Sequence, residues 1–302
     1  MTATLEKPVA THEKPSLKHR LAERGLDRTI ILLLPALLFV LVLFVYPVLY
    51  GLQLSFQPKE GGGPLANYTK FFSDSYLFDT IWITLRLAVP AALINVLASI
   101  PIAYRMRGRV RGKRFLTTLF VLPITLGTVL TAEGLLRYLD PTGWFNKVLG
   151  LFGVDSLPLI HNYTGVLLSL IISGFPFAFL LTLSYLSGID PTLEHAAATL
   201  GADWRRRFRH ITLPLLAPGL AITFCLTFVL AFSVFPSAYL VGLPQGETRV
   251  MSIAAYEAAF RDFDYPLGSA IAMIMAVVML VVIGIVLMWR STLYRGATGG
   301  KG

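Results

Sequence analysis

The sequence predicts an all-α membrane protein that crosses the bilayer six times. Three observations carry that expectation. The chain of 302 residues is 55% hydrophobic and only 14% charged, with a mean hydropathy of +0.67, which is too apolar for a soluble domain. Apolar runs near the 20 or so residues that a helix needs to cross recur six times. The basic residues gather at the ends of alternate runs, which is how membrane topology is written.

Taken in order, residues 1–28 are polar, with Lys14, Lys18, Arg20, Arg24 and Arg28 interleaved with Leu17, Leu21 and Leu26 at helical spacing. They read as an amphipathic tail on the membrane surface. The run from Thr29 to Tyr50 exceeds a signal-peptide core and lacks a small-residue cleavage site, so it is expected to stay as the first span. The other five spans are expected over Ile81 to Tyr104, Phe115 to Leu139, Thr164 to Leu186, Leu216 to Leu240 and Leu267 to Trp289. The transmembrane domain thus covers 29–290, and 291–302 forms a short polar tail. Between spans, Gly61-Gly62-Gly63-Pro64, Asp140-Pro141-Thr142-Gly143 and Leu243-Pro244-Gln245-Gly246 mark turns.

The Lys and Arg residues fix an orientation. The first tail, the loop from Arg105 to Arg114, the Asp190 loop and the C-terminal end hold most of the 26, whereas the alternate loops hold Lys59, Lys70, Lys147, Arg249 and Arg261. The positive-inside rule puts both termini and the Asp190 loop in the cytoplasm. The net charge of +9 is explained by these clusters, so no nucleic-acid partner is expected. The one cysteine, Cys225, rules out an internal disulfide, and no Cys/His spacing suggests a metal site. Neither Gly108 to Arg114 nor Gly296 to Gly302 has the spacing of a phosphate loop, and no catalytic set stands out. The chain is expected to be a non-enzyme without a cofactor of its own.

The stretch from Asp190 to Pro218 is a polar, helix-coded island between two apolar segments, and most of it belongs to a loop of 187–215. Asp190 and Pro191 start a helix, Ala196, Ala197 and Ala198 favour it, and Gly201 can close it in a left-handed conformation. Asp203 caps a second helix that carries Trp204, Phe208 and Ile211 and is expected to end at Pro214. With Arg205, Arg206, Arg207 and Arg209 this pair has the makings of a loop lying on anionic headgroups.

The spacing points further. Ala196-Ala197, Gly201 and Ile211-x-Leu213-Pro214 resemble the E-A-A-x(3)-G-x(9)-I-x-L-P signature of inner-membrane permease subunits of binding-protein-dependent ABC importers. One departure stands out: the family's glutamate falls on His195, and Glu194 lies one residue earlier, about 100° round the helix. The resemblance extends to the outer loops, through Asn67-Tyr68 with Phe71-Phe72 and Gly150-Leu151 after Trp144-Phe145-Asn146, and to Thr248 to Ala270. It implies a type I ABC importer permease fold with a cytoplasmic coupling helix in a bacterial inner membrane. It also implies that Glu194, His195, Ala196, Ala197, Leu200, Gly201, Ala202, Asp203, Ile211, Leu213 and Pro214 meet an ATPase. The implied partners are two ATPase subunits that carry the ATP and Mg, a second permease chain or a copy of this one, and an extracytoplasmic solute-binding protein. Leu200-Gly201-Ala202 looks more like the polyamine, ferric and phosphonate branch, closest to the spermidine/putrescine type, than the sugar branch, which tends to have Asp-Gly-Ala there. The implied solute is thus a small polar organic compound, polyamine-, opine- or phosphonate-like or a sugar. The acidic residue that polyamine permeases often carry before the proline of the fifth span is absent, since Val234 and Phe235 stand there.

Three ionisable residues fall inside spans: Arg86, Glu133 and Arg137. Glu133 and Arg137 are four apart and can neutralise each other on one helix face. The alternative is that one of them lines the solute path. Thr125, Thr128 and Thr131 share their span and either bond helix to helix or line the path. In the fifth span Ser233, Phe235, Ser237 and Tyr239 make an aromatic, hydroxyl-rich patch around Pro236. The rival class, an ion-gradient-driven transporter, calls for broken helices with acidic residues at the midplane. Glu133 lies off centre.

Overall fold

The computed structural model describes residues 28–108 and 112–298, and all the regular structure among them is helical. The amphipathic tail expected over 1–28 lies almost wholly outside the described residues. The chain divides into two units, 1–53 and 54–302. The first unit holds α1 (Arg28–Val40), a π-helical turn (Leu41–Val45) and most of α2 (Tyr46–Ser55). Its span, Leu33–Ser55, has a hydropathy of 2.5. Pro35 and Pro47 fall inside this run, and the wide π turn lies between them.

The second unit contains α3 (Ala66–Ser73), α4 (Ser75–Arg107), α5 (Lys113–Leu139), α6 (Trp144–Leu151), α7 (Tyr163–Ser187), α8 (Pro191–Thr199) and α9 (Trp204–Arg207). A π turn (Phe208–Thr212) then leads into α10 (Leu213–Phe232), followed by α11 (Pro236–Leu240), α12 (Met251–Tyr256), a π turn (Glu257–Arg261) and α13 (Tyr265–Thr298). Six helices among the described residues are long and apolar enough to cross a membrane.

The centre of this unit is a three-helix contact of α4, α7 and α10, extended by α13. Leu87, Ala88, Ala91 and Ala92 of α4 pack with Val166 and Leu170 of α7, Phe228 and Phe232 of α10 and Ile271 of α13. Between helices in lipid, close approach of small residues and hydrogen bonds replace the hydrophobic drive that water would supply. Both are present. Ser99 and Thr182 share a hydrogen bond of 2.7 Å, and Asn95 Nδ2 donates to the Leu170 carbonyl at 3.3 Å. At Gly219 a Cβ would sit 2.5 Å from the Tyr185 ring, so glycine is what lets α10 reach α7. A second cluster, Ala103, Met106, Phe179, Leu186 and Leu216, closes the end nearest Asp190. At the far end Arg249, which is buried, holds Glu257 at 3.1 Å, donates to the Tyr76 carbonyl at 3.2 Å and lies 3.6 Å from the Tyr76 ring centre.

Three expected elements differ from those observed. The third span is not one rod: Gly127 has φ 74 and ψ 165, a non-helical break that only glycine adopts cheaply, four residues after Pro123. The fifth helix stops at Phe232 rather than running to Leu240, and Ser233 to Phe235 cross to the short α11. Pro236 starts that helix instead of kinking the span, because proline fits the first helical position, where no N–H is needed. Pro214 ends nothing for a different reason: the chain stays helical from Trp204 to Phe232, and the wide π turn Phe208–Thr212 just before the proline takes up its ring and its missing N–H.

Candidate functional site

The Asp190 island folds as its residue types require. The Asp190 side chain accepts from Thr192 N at 2.9 Å, and Pro191 takes the first helical position of α8. Gly201 has φ 81. Gly201 N donates to Ala198 O and Ala202 N to Ala197 O, both at 3.0 Å, which is the paired closure of a Schellman motif. Asp203 then accepts from Arg206 N at 3.0 Å and caps α9.

Glu194 joins this loop to the helical core. It is only 9% exposed. Thr212 Oγ1 donates to its Oε1 at 2.5 Å, and Tyr104 Oη donates to its Oε2 at 3.3 Å. Arg107 Nη1 lies 3.1 Å from Oε1 as an ion pair. The Glu194 backbone carbonyl faces Arg207 Nη1 at 3.5 Å, and Tyr104 meets Phe208 edge to face at 5.1 Å between ring centres. Burial opposes ionisation of Glu194, but the Thr212 hydroxyl, Arg107 and Tyr104 outweigh it and hold the carboxyl below its ordinary range. One carboxylate therefore ties α8 to the end of α4 and to the start of α10.

The remaining loop residues divide by exposure. His195, Ala196, Leu200, Gly201, Asp203 and Pro214 are exposed, Leu200 by 88%, and Ala197, Ala202, Ile211 and Leu213 are half-buried. Trp204 is exposed beside Arg205, whose guanidinium lies 5.4 Å from its ring centre. The residue that replaces the signature glutamate, His195, faces outward, and Glu194 faces in. Tyr104, Arg107 and Thr212 were not singled out by sequence. Thr212 lies inside the Ile211-x-Leu213-Pro214 signature, at its unspecified position; Tyr104 and Arg107 carry no local signal, because their pairing with Glu194 bridges about ninety residues of chain.

A cavity of about 300 Å³ lies between α4, α5, α7, α10 and the Ser233 to Ser237 crossing. Its polar lining is Asn95, Thr128, Ser173, Thr227, Ser233 and Ser237, with Phe235 alongside and no ionisable side chain. Asn95 is 2% exposed and its Oδ1 has no partner. Ser169 Oγ donates to Ser237 Oγ at 2.8 Å. Of the expected path residues, Ser233, Phe235 and Ser237 line this cavity. Tyr239 does not. It stacks on Phe235 at 5.4 Å and continues through Tyr256 to Phe260 in a row of aromatic rings.

The three intramembrane charges lie away from the cavity. Arg137 Nε donates to Glu133 Oε1 at 3.2 Å, one turn apart on the exposed side of α5. Arg86 is exposed and accepts, through its backbone carbonyl, from Tyr163 Oη at 2.7 Å. Thr125 and Thr131 donate to carbonyls of their own helix, those of Leu122 and Gly127, rather than across helices. Only Thr128 of that trio reaches the cavity.

Residues 93–294 match the family described as the inner membrane component of binding-protein-dependent transport systems. The chain belongs to this family. It is a transmembrane permease subunit of an ABC importer, a transport component and not an enzyme. The trehalose/maltose transport system permease protein MalF of Thermococcus litoralis is 28% identical over 277 residues, covering 87% of this chain and 92% of that one. The sn-glycerol-3-phosphate transport system permease protein UgpA of Salmonella typhimurium is 28% identical, covering 86% and 92%. The fold matches a crystal structure of a bacterial ABC transporter involved in the import of the acidic polysaccharide alginate, with a TM-score of 0.76 and 22% identity, covering 90% and 97%. The type I permease fold is thereby shown.

These relatives correct the placement nearest the spermidine/putrescine-type branch. That placement leaned on Leu200-Gly201-Ala202, and Leu200 is exposed and not among the residues that line the cavity.

Proposed function

We propose that this permease moves a neutral, sugar-type solute handed over by an extracytoplasmic binding protein, and that the loop 187–215 couples it to a separate ATPase. The observation that carries the solute class is the lining of the 300 Å³ cavity: five hydroxyls, one amide and an aromatic ring set among apolar residues such as Leu170, Val229, Leu230 and Val234, with no ionisable group. Hydroxyls and amides exchange hydrogen bonds with a polyol, and an aromatic face stacks on its C–H groups. A phosphate would call for Arg or Lys and a polyamine for carboxylates. The names of the trehalose and maltose permeases agree with a sugar, and the lining, not identity, separates it from the glycerol phosphate of an equally similar relative.

Glu194, held from three sides, positions the loop, while Leu200, His195 and Trp204 form the face offered to the ATPase. ATP and Mg bind on that partner. Two ATPase subunits and a second permease chain complete the reading, with both termini and the 187–215 loop in the cytoplasm of a bacterial cell. An uptake assay with labelled trehalose, competed by excess maltose, glycerol 3-phosphate or spermidine, tests the solute class. Competition by maltose alone is expected. Competition by spermidine overturns it.

A further inference from the structure

The short helix α6 follows the third crossing directly and packs by its Asn146 side. Asn146 is buried and saturated: Nδ2 donates to the carbonyls of Leu139 at 3.3 Å, Asp140 at 3.0 Å and Leu157 at 3.2 Å, and Oδ1 accepts from Leu157 N at 2.8 Å. These four bonds fix how the helix is rotated. At 100° per residue the opposite side carries Trp144, Val148 and Leu151 within about 60° of arc, with Lys147 next to them. That side is bare: Trp144 is 74% exposed, Leu151 85%, and Phe152 just beyond 78%.

We propose that this stripe is a membrane-surface anchor, seated in the headgroup layer of the leaflet that the third crossing reaches at Leu139. The occupant is lipid and not protein for three reasons. The stripe is continuous with a segment that itself crosses the bilayer, so it starts at the membrane boundary. Its lead residue is tryptophan, whose apolar body and single N–H suit the interface. Lys147 lies beside the apolar residues where a long cationic stem reaches phosphate while its methylenes stay with acyl chains.

The test uses the full chain with the subunits that co-purify with it, in nanodiscs, and takes the Trp144 emission as the difference between the parent and Trp144→Phe, which leaves Trp204 in place and cancels every other tryptophan. Brominated phosphatidylcholine should quench most of that difference emission, and its spectrum should be blue-shifted. A difference emission that iodide quenches and bromolipid does not, or that neither quenches, places the helix in water or under protein and overturns the proposal.

Discussion

At the scale of the residue, the largest gap between chain and structure is Glu194. Sequence alignment gave the signature position to His195, and the fold gives the interior to Glu194. Its side-chain partners lie in two separate segments, the end of α4 and the turn before α10, so no local pattern announces them. Glu194→Gln should leave Arg107 uncompensated and weaken the Thr212 bond, at a cost of about 1–3 kcal/mol. ATP hydrolysis that continues without solute uptake is the expected readout, whereas His195→Gln should leave the anchoring intact. The acid dependence follows from the same site. The folded carboxyl lies below its ordinary range, so its contribution is complete above the ordinary glutamate value and is lost as pH falls through the lowered folded value. Hydrogen-exchange protection in 191–199, corrected for the intrinsic pH dependence of amide exchange, should therefore fall under acid conditions but not alkaline ones, and Glu194→Gln should flatten that response.

Glu133 and Arg137 make a second residue-scale case, and here spacing alone was enough. The pair formed because four residues is one helical turn. Glu133→Gln strands a cation inside an apolar crossing, which insertion scales price at roughly 2.5–3.5 kcal/mol at the bilayer centre and less toward its edge. Assembly should fall, and adding Arg137→Gln should restore both assembly and uptake. A double variant that assembles but moves no solute would show that the pair serves the solute path instead.

At the scale of the element, helix starts and stops were legible wherever a side chain or a glycine decided them. Asp190, Pro191, Gly201 and Asp203 each did what their chemistry implies. Gly201 is bound by backbone conformation and not by space, since a Cβ there meets nothing within 4 Å. Gly201→Asn should thus be close to wild type, while Gly201→Val should cost about 1–2 kcal/mol and impair ATPase docking, read by co-purification. Prolines misled because their effect depends on register. At Pro236 the missing N–H falls in a first turn, where nothing is lost, and at Pro214 the π turn just before it takes up the ring. Pro236→Ala should leave the melting temperature nearly unchanged. The break at Gly127 was not legible, because glycine within an apolar run is as often a packing residue as a bend.

At the scale of the whole molecule, the number of crossings was written in hydropathy, and the cavity was not. Asn95, Thr128, Ser173 and Thr227 are single polar residues scattered over four helices, and only the packing of α4, α5, α7 and α10 assembles them. Orientation rests on the basic residues. A reporter fused after Arg207 should respond as cytoplasmic, and one after Gly63 or Gln245 as external; the inverse pattern would remove the loop from any ATPase.

The anchoring of Glu194 also has a mechanical meaning. The helix it holds at one end, α4, has 33 residues and so runs about 50 Å. Because the same carboxylate is keyed to α4 and to the turn that leads into α10, a pull on the loop reaches two shafts at once, and on α4 the opposite tip is pinned where Arg249 grips Tyr76.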